Sequence, residues 1–385
     1  MASEQFAVLI SRFRIIQIDN VTGYQDCALA SSHCPLSSLR YNQNNSMNLV
    51  AQQDMPAQSA QLSLREQLHA LASGCGAYRL DRALVSLAGK DRVRWLNGMV
   101  SNNIRDLAPG RGVYAFVLNP QGNIQGDLYT FNRGETLVLE IESSQASLLP
   151  QLRRYIIMDK VEVTELGDSV SVFGIAGPKS NEVLGSLGVT AADSPALAIS
   201  DATWSGVAIT VIRDDNPCVP NYEFWVPKDH ADSFWQSLIQ SGANEIHSDA
   251  LEAFRILCGI PKIGTDTRDR TLPQETGQDR ALNFNKGCYI GQEIVERIRA
   301  RGAVHRVLTG FEVDGDAQPG TAIQAEGKDI GQITSVVRVP INSGERILAL
   351  GYVRREHLSP EATFDVAGAK MRPVQLPFAG LLEQL

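Results

Sequence analysis

Lys286-Gly287-Cys288-Tyr289-Ile290-Gly291-Gln292-Glu293 packs two glycines, a lysine, a thiol, a phenol and two polar side chains into eight positions. Filling a core does not require that density of special residues. Gly287 and Gly291 let the backbone take tight or left-handed turns and approach a ligand or another chain segment closely, so a loop is predicted. Beyond it Glu293, Arg297 and Arg301 recur at i, i+4 and i+8, with Ile294 and Ile298 on a neighbouring stripe and Gly302 placed to stop a helix. Cys288 then lies just before a helix N-terminus and two residues after Lys286, both of which favour thiolate over thiol. The alternative is a buried small side chain in a loop that only shapes a pocket.

Outward from this run the chain changes character several times. Residues 1–63 hold no Lys and carry a polar Asn- and Gln-rich tract from Tyr41 to Ser63, so a poorly ordered N-terminal extension is expected, with translation starting at Met55 as the sharper form of that expectation. From Leu64 the leucines 64, 68 and 71 recur at helical spacing, and Arg82 to Ala88 reads as a strand. Asp91 to Val100 predicts a helix. Val113 to Asn119 and Ile124 to Phe131 flank Pro120-Gln121-Gly122-Asn123, a turn signal between two strands of a hairpin. Thr136 to Ile141 predicts a strand, and Gln145 to Ile157 a helix. Strands and helices alternate again from Val161 to Ala253, whereas from Val307 onward short strands and Gly-containing turns predict a small β-barrel. The fold class is α+β, with a body over 64–303 and a barrel domain over 304–385.

Composition narrows the function. At 385 residues with 43% hydrophobic side chains the chain supports more than one core. A formal charge of -8 argues against a surface built throughout to neutralise nucleic-acid phosphates, so direct nucleic-acid binding is not expected. No apolar run approaches the roughly 20 residues of a membrane span, and no secretory signal is legible. The six cysteines, Cys27, Cys34, Cys75, Cys218, Cys258 and Cys288, form no C-x-x-C pair or metal-ligand spacing and read as reduced thiols of a cytoplasmic protein, expected to be a monomer without a metal site.

The Lys286–Glu293 run resembles, completely and contiguously, the K-G-C-Y-x-G-Q-E signature of YgfZ-type folate-binding proteins, relatives of the glycine-cleavage T-protein aminomethyltransferases. Phe254 to Pro261, Leu272-Pro273-Gln274-Glu275 and Phe284-Asn285 resemble the segment before that signature, and the likeness runs from about Leu64 to the C-terminus. It implies a folate-binding body of two interleaved α/β parts around a central hole, followed by a β-barrel. It also implies tetrahydrofolate or a one-carbon derivative as cofactor, and iron–sulfur client proteins, including tRNA-modifying enzymes, as partners. The alternatives are a folate-dependent aminomethyltransferase and a folate-binding module without chemistry. Against the transferase stands the signature itself, because T-proteins carry an F-I-G-x-E type sequence there, without the cysteine.

A pterin ring offers adjacent N–H donors that a buried carboxylate can accept as a pair, which points to lone acids among apolar residues. Glu223, inside Asn221-Tyr222-Glu223-Phe224-Trp225-Val226, is one, and falls where the T-protein resemblance places a G-[YF]-E folate contact. Asp127 matches the second aspartate of the T-protein D-D-L pattern, whose implied role is electrostatic or general-base assistance at the folate nitrogen; Gly126 replaces the first. Solvent-facing strand positions are the alternatives for both. Tyr114 resembles an aromatic lining the folate and Arg255 a helix arginine that meets a ligand carboxylate. Lys286 and Cys288 complete the candidate set. Nine Lys or Arg against six Asp or Glu between Lys262 and Arg306 suit a polyglutamate tail or an acidic partner, although charged faces are usually only solvated.

Overall fold

The computed structural model of the protein describes residues 62–385, apart from 168, 191–193 and 303. The expectations of a poorly ordered extension and a start at Met55 lie outside the described residues. The first described helix, α1 (Leu64–Ser73), opens with a capping box: the Ser63 side chain accepts from the Glu66 amide, and the Glu66 carboxylate accepts from the Ser63 amide. Leu68 and Leu71 bury the periodic face.

Eleven strands share one sheet: β1 (Gly76–Leu80), β2 (Arg82–Ala88), β3 (Arg111–Leu118), β4 (Ile124–Asn132), β5 (Leu137–Glu142), β6 (Glu162–Glu165), β7 (Val170–Ala176), β8 (Ala198–Trp204), β9 (Val207–Arg213), β10 (Asn221–Pro227) and β11 (Asn244–Glu245). Their order is β11-β1-β7-β10-β9-β8-β3-β4-β5-β2-β6. Consecutive strands β1 and β2 therefore belong to opposite halves, and the halves join at a single pairing, Arg111 with Ala198. This is the interleaving that the family resemblance implied.

Each half has an outer core beneath helices. Val85, Ala115, Leu128 and Leu139 pack under α2 (Arg92–Met99) and α3 (Leu148–Arg153); Phe173, Val211, Tyr222 and Phe224 pack under α4 (Ser180–Ser186) and α5 (Ala231–Gln240). The alternate residues point the other way, and there Leu84, Phe131 and Val138 of one half meet Val172, Ile212 and Trp225 of the other. Side chains with that second parity line the space between the halves.

From Arg306 the chain builds a closed barrel, β12 (Arg306–Asp314), β13 (Ala322–Ala325), β14 (Lys328–Ile341), β15 (Gly344–Arg354), β16 (Phe364–Val366) and β17 (Ala369–Val374), in the order β12-β15-β14-β13-β16-β17. Phe311, Ile333, Ala349, Val353 and Phe364 fill it, while Val339, Ile341, Leu348 and Leu350 pack outside it against α1 and α6 (Ser248–Leu257). Two readings need correction. The helix expected over 145–157 is only α3, and Ile157 and Met158 beyond it are 84% and 92% exposed, so their apolar spacing finds no core. Strands β1, β7 and β8 were not legible as separate elements.

Candidate functional site

Antiparallel pairing sets which side chains can meet, because directly opposed residues share a face. Tyr114 lies opposite Tyr129, Tyr129 opposite Glu140, and Glu140 opposite Leu84; Phe116 lies opposite Asp127. All have the inward parity. So does Glu223, whose neighbours Tyr222 and Phe224 belong to an outer core. The solvent-facing alternatives for Asp127 and Glu223 therefore fail: Glu223 is 5% exposed and Asp127 is half-buried.

Around Asp127, the Tyr114 hydroxyl donates to Oδ2 at 2.6 Å, Gln145 Nε2 donates to Oδ1 at 2.6 Å, and the Asp127 amide donates to Gln145 Oε1 at 2.9 Å. Burial raises the Asp127 carboxyl pKa, and the Tyr114 and Gln145 donors oppose the shift without cancelling it. Burial and the adjacent Asp127 also push the Tyr114 phenol well above its usual range. The phenol stays a donor at neutral pH.

Glu223 accepts from Trp225 Nε1 at 2.6 Å and shares a hydrogen bond with Glu140. Two carboxyls in that contact hold one proton between them. Arg82 Nε stands 2.9 Å from Glu140. Burial, followed by the nearness of Glu140, raises Glu223 well above its ordinary value, while Arg82 opposes the shift. A second acid group completes the face: Asp214, raised to about 6 by burial and by its neighbour Asp215, and Asp215 itself, which accepts from the Tyr129 hydroxyl at 3.1 Å and pairs with Arg280. The Arg280 guanidinium lies 4.3 Å over the Tyr114 ring.

Asp127, Glu140, Asp214, Asp215 and Glu223 thus outnumber Arg82 and Arg280 on this face. Acceptors in excess over cations, beside the rings of Tyr114 and Tyr129, fit a flat N–H-bearing heterocycle such as a reduced pterin and oppose a phosphate. Arg82, Glu140, Gln145, Asp214, Asp215 and Arg280 were missed from sequence. Glu140 could have been found, since it is a lone acid in the apolar run Leu137-Val138-Leu139-Glu140-Ile141.

The signature loop borders this face, with Tyr289 packed against the cluster of Tyr114 and Phe116, and is built differently. Lys286 Nζ donates to three carbonyls, of Asn97, Val100 and Asn102, at 2.7, 2.6 and 2.5 Å, which ties the loop to the C-terminal end of α2. Burial and the nearby Arg105 push its pKa down to about 7, against the pull of those carbonyls for the charged form. Gly291, at φ 83°, packs where any Cβ would fall 2.6 Å from the Asn119 carbonyl, and Gly122 in the hairpin turn leaves 2.7 Å to Ile294 by the same test. These two glycines seat the loop on the hairpin tip. Helix α7 (Gln292–Arg301) follows and stops at Gly302, φ 82°, as the sequence predicted. Cys288 remains exposed.

Two candidate roles are corrected by these contacts. Lys286 spends its donors on α2, so it neither faces the inner acids nor pairs with Cys288. Arg255 donates to Glu252, to the Ile260 carbonyl, to Asp266 at 2.7 Å and to Ser335 at 3.0 Å, which makes it a clamp between α6, the 260–266 loop and β14. None of its partners lies on the inner face, and its N–H groups are consumed within the protein.

Residues 45–286 match the family described as the GCVT N-terminal domain. Among relatives, the chain is 31% identical over 236 residues to the tRNA-modifying protein YgfZ of Yersinia enterocolitica, covering 59% of this chain and 68% of that one. It is 28% identical over 324 residues to an aminomethyltransferase of Streptomyces coelicolor, 80% of this chain and 85% of that one. It is 26% identical over 278 residues to a putative chloroplastic transferase of Arabidopsis thaliana, 71% of this chain but only 64% of that relative's length. The glycine cleavage system aminomethyltransferase T from Bartonella henselae superposes with a TM-score of 0.75 at 18% identity, over 83% of this chain and 90% of that one, and so shares the fold. This chain belongs to the GCVT family. Within that family it fits the YgfZ type, by the likeness to YgfZ and the complete signature.

Proposed function

We propose that the protein is a tetrahydrofolate-binding accessory factor that supports assembly or repair of iron–sulfur clusters in client enzymes, tRNA-modifying enzymes among them. The observation that carries this reading is the use of the signature loop. Lys286, Gly291 and the helix that follows fix the loop on the body, and the Cys288 thiol is left exposed on it. A thiol held out on a braced loop suits exchange with a partner protein better than turnover inside a closed pocket. In this reading Glu223, Glu140 and Asp127 hold the pterin through its N–H groups, Tyr114 covers its ring, and Arg82 keeps the carboxyl pair partly ionised. The folate supplies one-carbon chemistry when bound.

The enzyme alternative, an aminomethyltransferase, is favoured by Asp127, which is retained and hydrogen-bonded. It is disfavoured at Gly126, where a Cβ would lie 2.7 Å from Gln145 Oε1 and 2.9 Å from Leu148, so a first aspartate there would require both side chains to shift. No helix among the described residues is long and apolar enough to cross a membrane. A cytoplasmic, monomeric protein acting on protein clients without direct nucleic-acid contact completes the proposal.

The test is the activity of a radical-type iron–sulfur tRNA-modifying enzyme in cells lacking this gene. Rescue by wild type and by Asp127→Asn, but not by Cys288→Ala, is expected if the thiol serves clients directly. Unchanged activity in the deletion strain sinks the proposal, and aminomethyl transfer from a lipoyl carrier then becomes the assay.

A further inference from the structure

Among the described residues three thiols lie outside the site above, Cys75, Cys218 and Cys258, and the last two are neighbours. Cys218 sits in the turn 214–220 after β9, and Cys258 caps the C-terminal end of α6. Cys218 packs against the cluster that holds Cys258. One side chain organises both: Asn216 Oδ1 accepts from the Cys218 and Val219 amides at 2.8 and 3.2 Å and from the Cys258 thiol at 3.6 Å. Cys218 is half-buried, whereas Cys258 is buried against α6 neighbours such as Phe254. The same turn begins with Asp214, which accepts from Asn221 Nδ2 at 2.5 Å, and Asp215, which meets Tyr129 and Arg280. One end of a short turn thus holds two inner-face carboxylates and the other holds a thiol that sits beside Cys258.

We infer that Cys218 and Cys258 form a redox-modification site, closing to an intramolecular disulfide by exchange with a low-molecular-weight disulfide and thereby displacing Asp214 and Asp215. The Cys218 thiolate attacks one sulfur of the external disulfide, forming a mixed disulfide and releasing one small thiolate, which takes up a proton. Cys258 then loses its proton and attacks the Cys218 sulfur, releasing the second small thiol. Two protein thiols and one external disulfide become one protein disulfide and two small thiols, and the two electrons go to the external disulfide. The order follows from access and from charge. Cys218 is the more open, and its pKa is lowered by its neighbour Cys258; Cys258 is buried at a helix C-terminus, where a thiolate is disfavoured.

Closure brings the sulfurs to about 2.05 Å and removes the Cys258 donor from Asn216, so the turn loses the hydrogen bond that ties Asn216 to the end of α6. The displacement of the acids matters for ligand binding only if the folate reading holds; the disulfide itself does not depend on it.

The full chain, reduced and desalted, is incubated with glutathione disulfide, alkylated and mapped by peptide mass. A cross-linked peptide joining Cys218 to Cys258, lighter by two hydrogens, is expected in wild type and in Cys288→Ser, and absent from Cys218→Ser and Cys258→Ala. A stable glutathione adduct on Cys218 without the cross-link, or a cross-link through Cys288, overturns the inference. Folinate titrations of the reduced and oxidised protein then read the coupling. About tenfold weaker binding after oxidation, restored by dithiothreitol, is expected when one hydrogen-bonding group is displaced. Equal affinities refute the coupling; no binding in either state refutes it together with the folate reading, while the cross-link map stands apart.

Discussion

The inner face of the sheet and the Lys286–Glu293 loop invert their prominence in the sequence. The loop is conspicuous as a string of unusual residues, yet most of them fasten it: Lys286 to three carbonyls of the α2 region, Gly291 to the hairpin tip. The inner face is assembled from single acids in ordinary strands, yet it buries Glu223 and Glu140 against each other and Asp127 beneath Tyr114. The difference teaches that a dense motif can be scaffolding for an exposed thiol, while a cluster of carboxyls is assembled from residues that only strand order and parity bring together.

The sharpest way to break this comparison is Lys286→Met. If the lysine is a brace, the variant leaves three carbonyls without their donor and loses about 3 kcal/mol of stability in urea unfolding, with folinate affinity unchanged in the protein that remains folded. Lost affinity at full stability would return Lys286 to the ligand site. Next in size, Glu223→Gln should weaken folinate binding by about 2 kcal/mol, roughly 30-fold, with little loss of melting temperature, measured by fluorescence titration. Because burial raises Glu223 and Asp127 while N–H donors favour their ionised forms, wild-type affinity should also fall as pH is lowered, and the Glu223→Gln profile should be flatter.

A smaller effect is expected from Asp214 in the ligand-free protein. Its pKa is raised from 3.8 to about 6, so the folded state binds this proton more tightly than the unfolded chain does. The stability it contributes is full below the unfolded value and is lost as pH rises through about 6. Asp214→Asn should therefore remove part of the decline in melting temperature between those two values; a profile identical to wild type contradicts the burial described here. Smallest of all, Cys288→Ser should change unfolding free energy by less than about 0.5 kcal/mol, because the side chain is exposed. A destabilisation matching that of Lys286→Met would mean that the thiol too is part of the brace.

Much of the body was legible because local patterns are dense there. The second strand was read with the ends it has, Arg82 and Ala88, and the helix after the signature ends at Gly302 as its glycine requires. Glu223 was singled out as a lone acid among apolar residues and Asp127 by its likeness to the T-protein pattern, and both have the inward parity. Glu140 met the same criterion and was passed over. Arg280 carried no local signal, since its role depends on lying over Tyr114, which is 166 positions earlier in the chain. Arg255 and Lys286 were misread for a common reason: a cation's partner is set by what the fold brings to it, and in both cases the fold supplies internal acceptors.

The amino-acid sequence by itself determined many of the elements, the α+β class, the barrel and the thiol-bearing loop, because periodicity, turn chemistry and glycine placement act over a few residues. Only the tertiary structure decided that β1 and β2 part into opposite halves, that five carboxyls gather on the inner face, and that Lys286 is tied to the end of α2. Those outcomes depend on strand order and on burial between segments far apart in the chain. Burial sets the dielectric that raises Glu223 and Asp214, and no local pattern carries it.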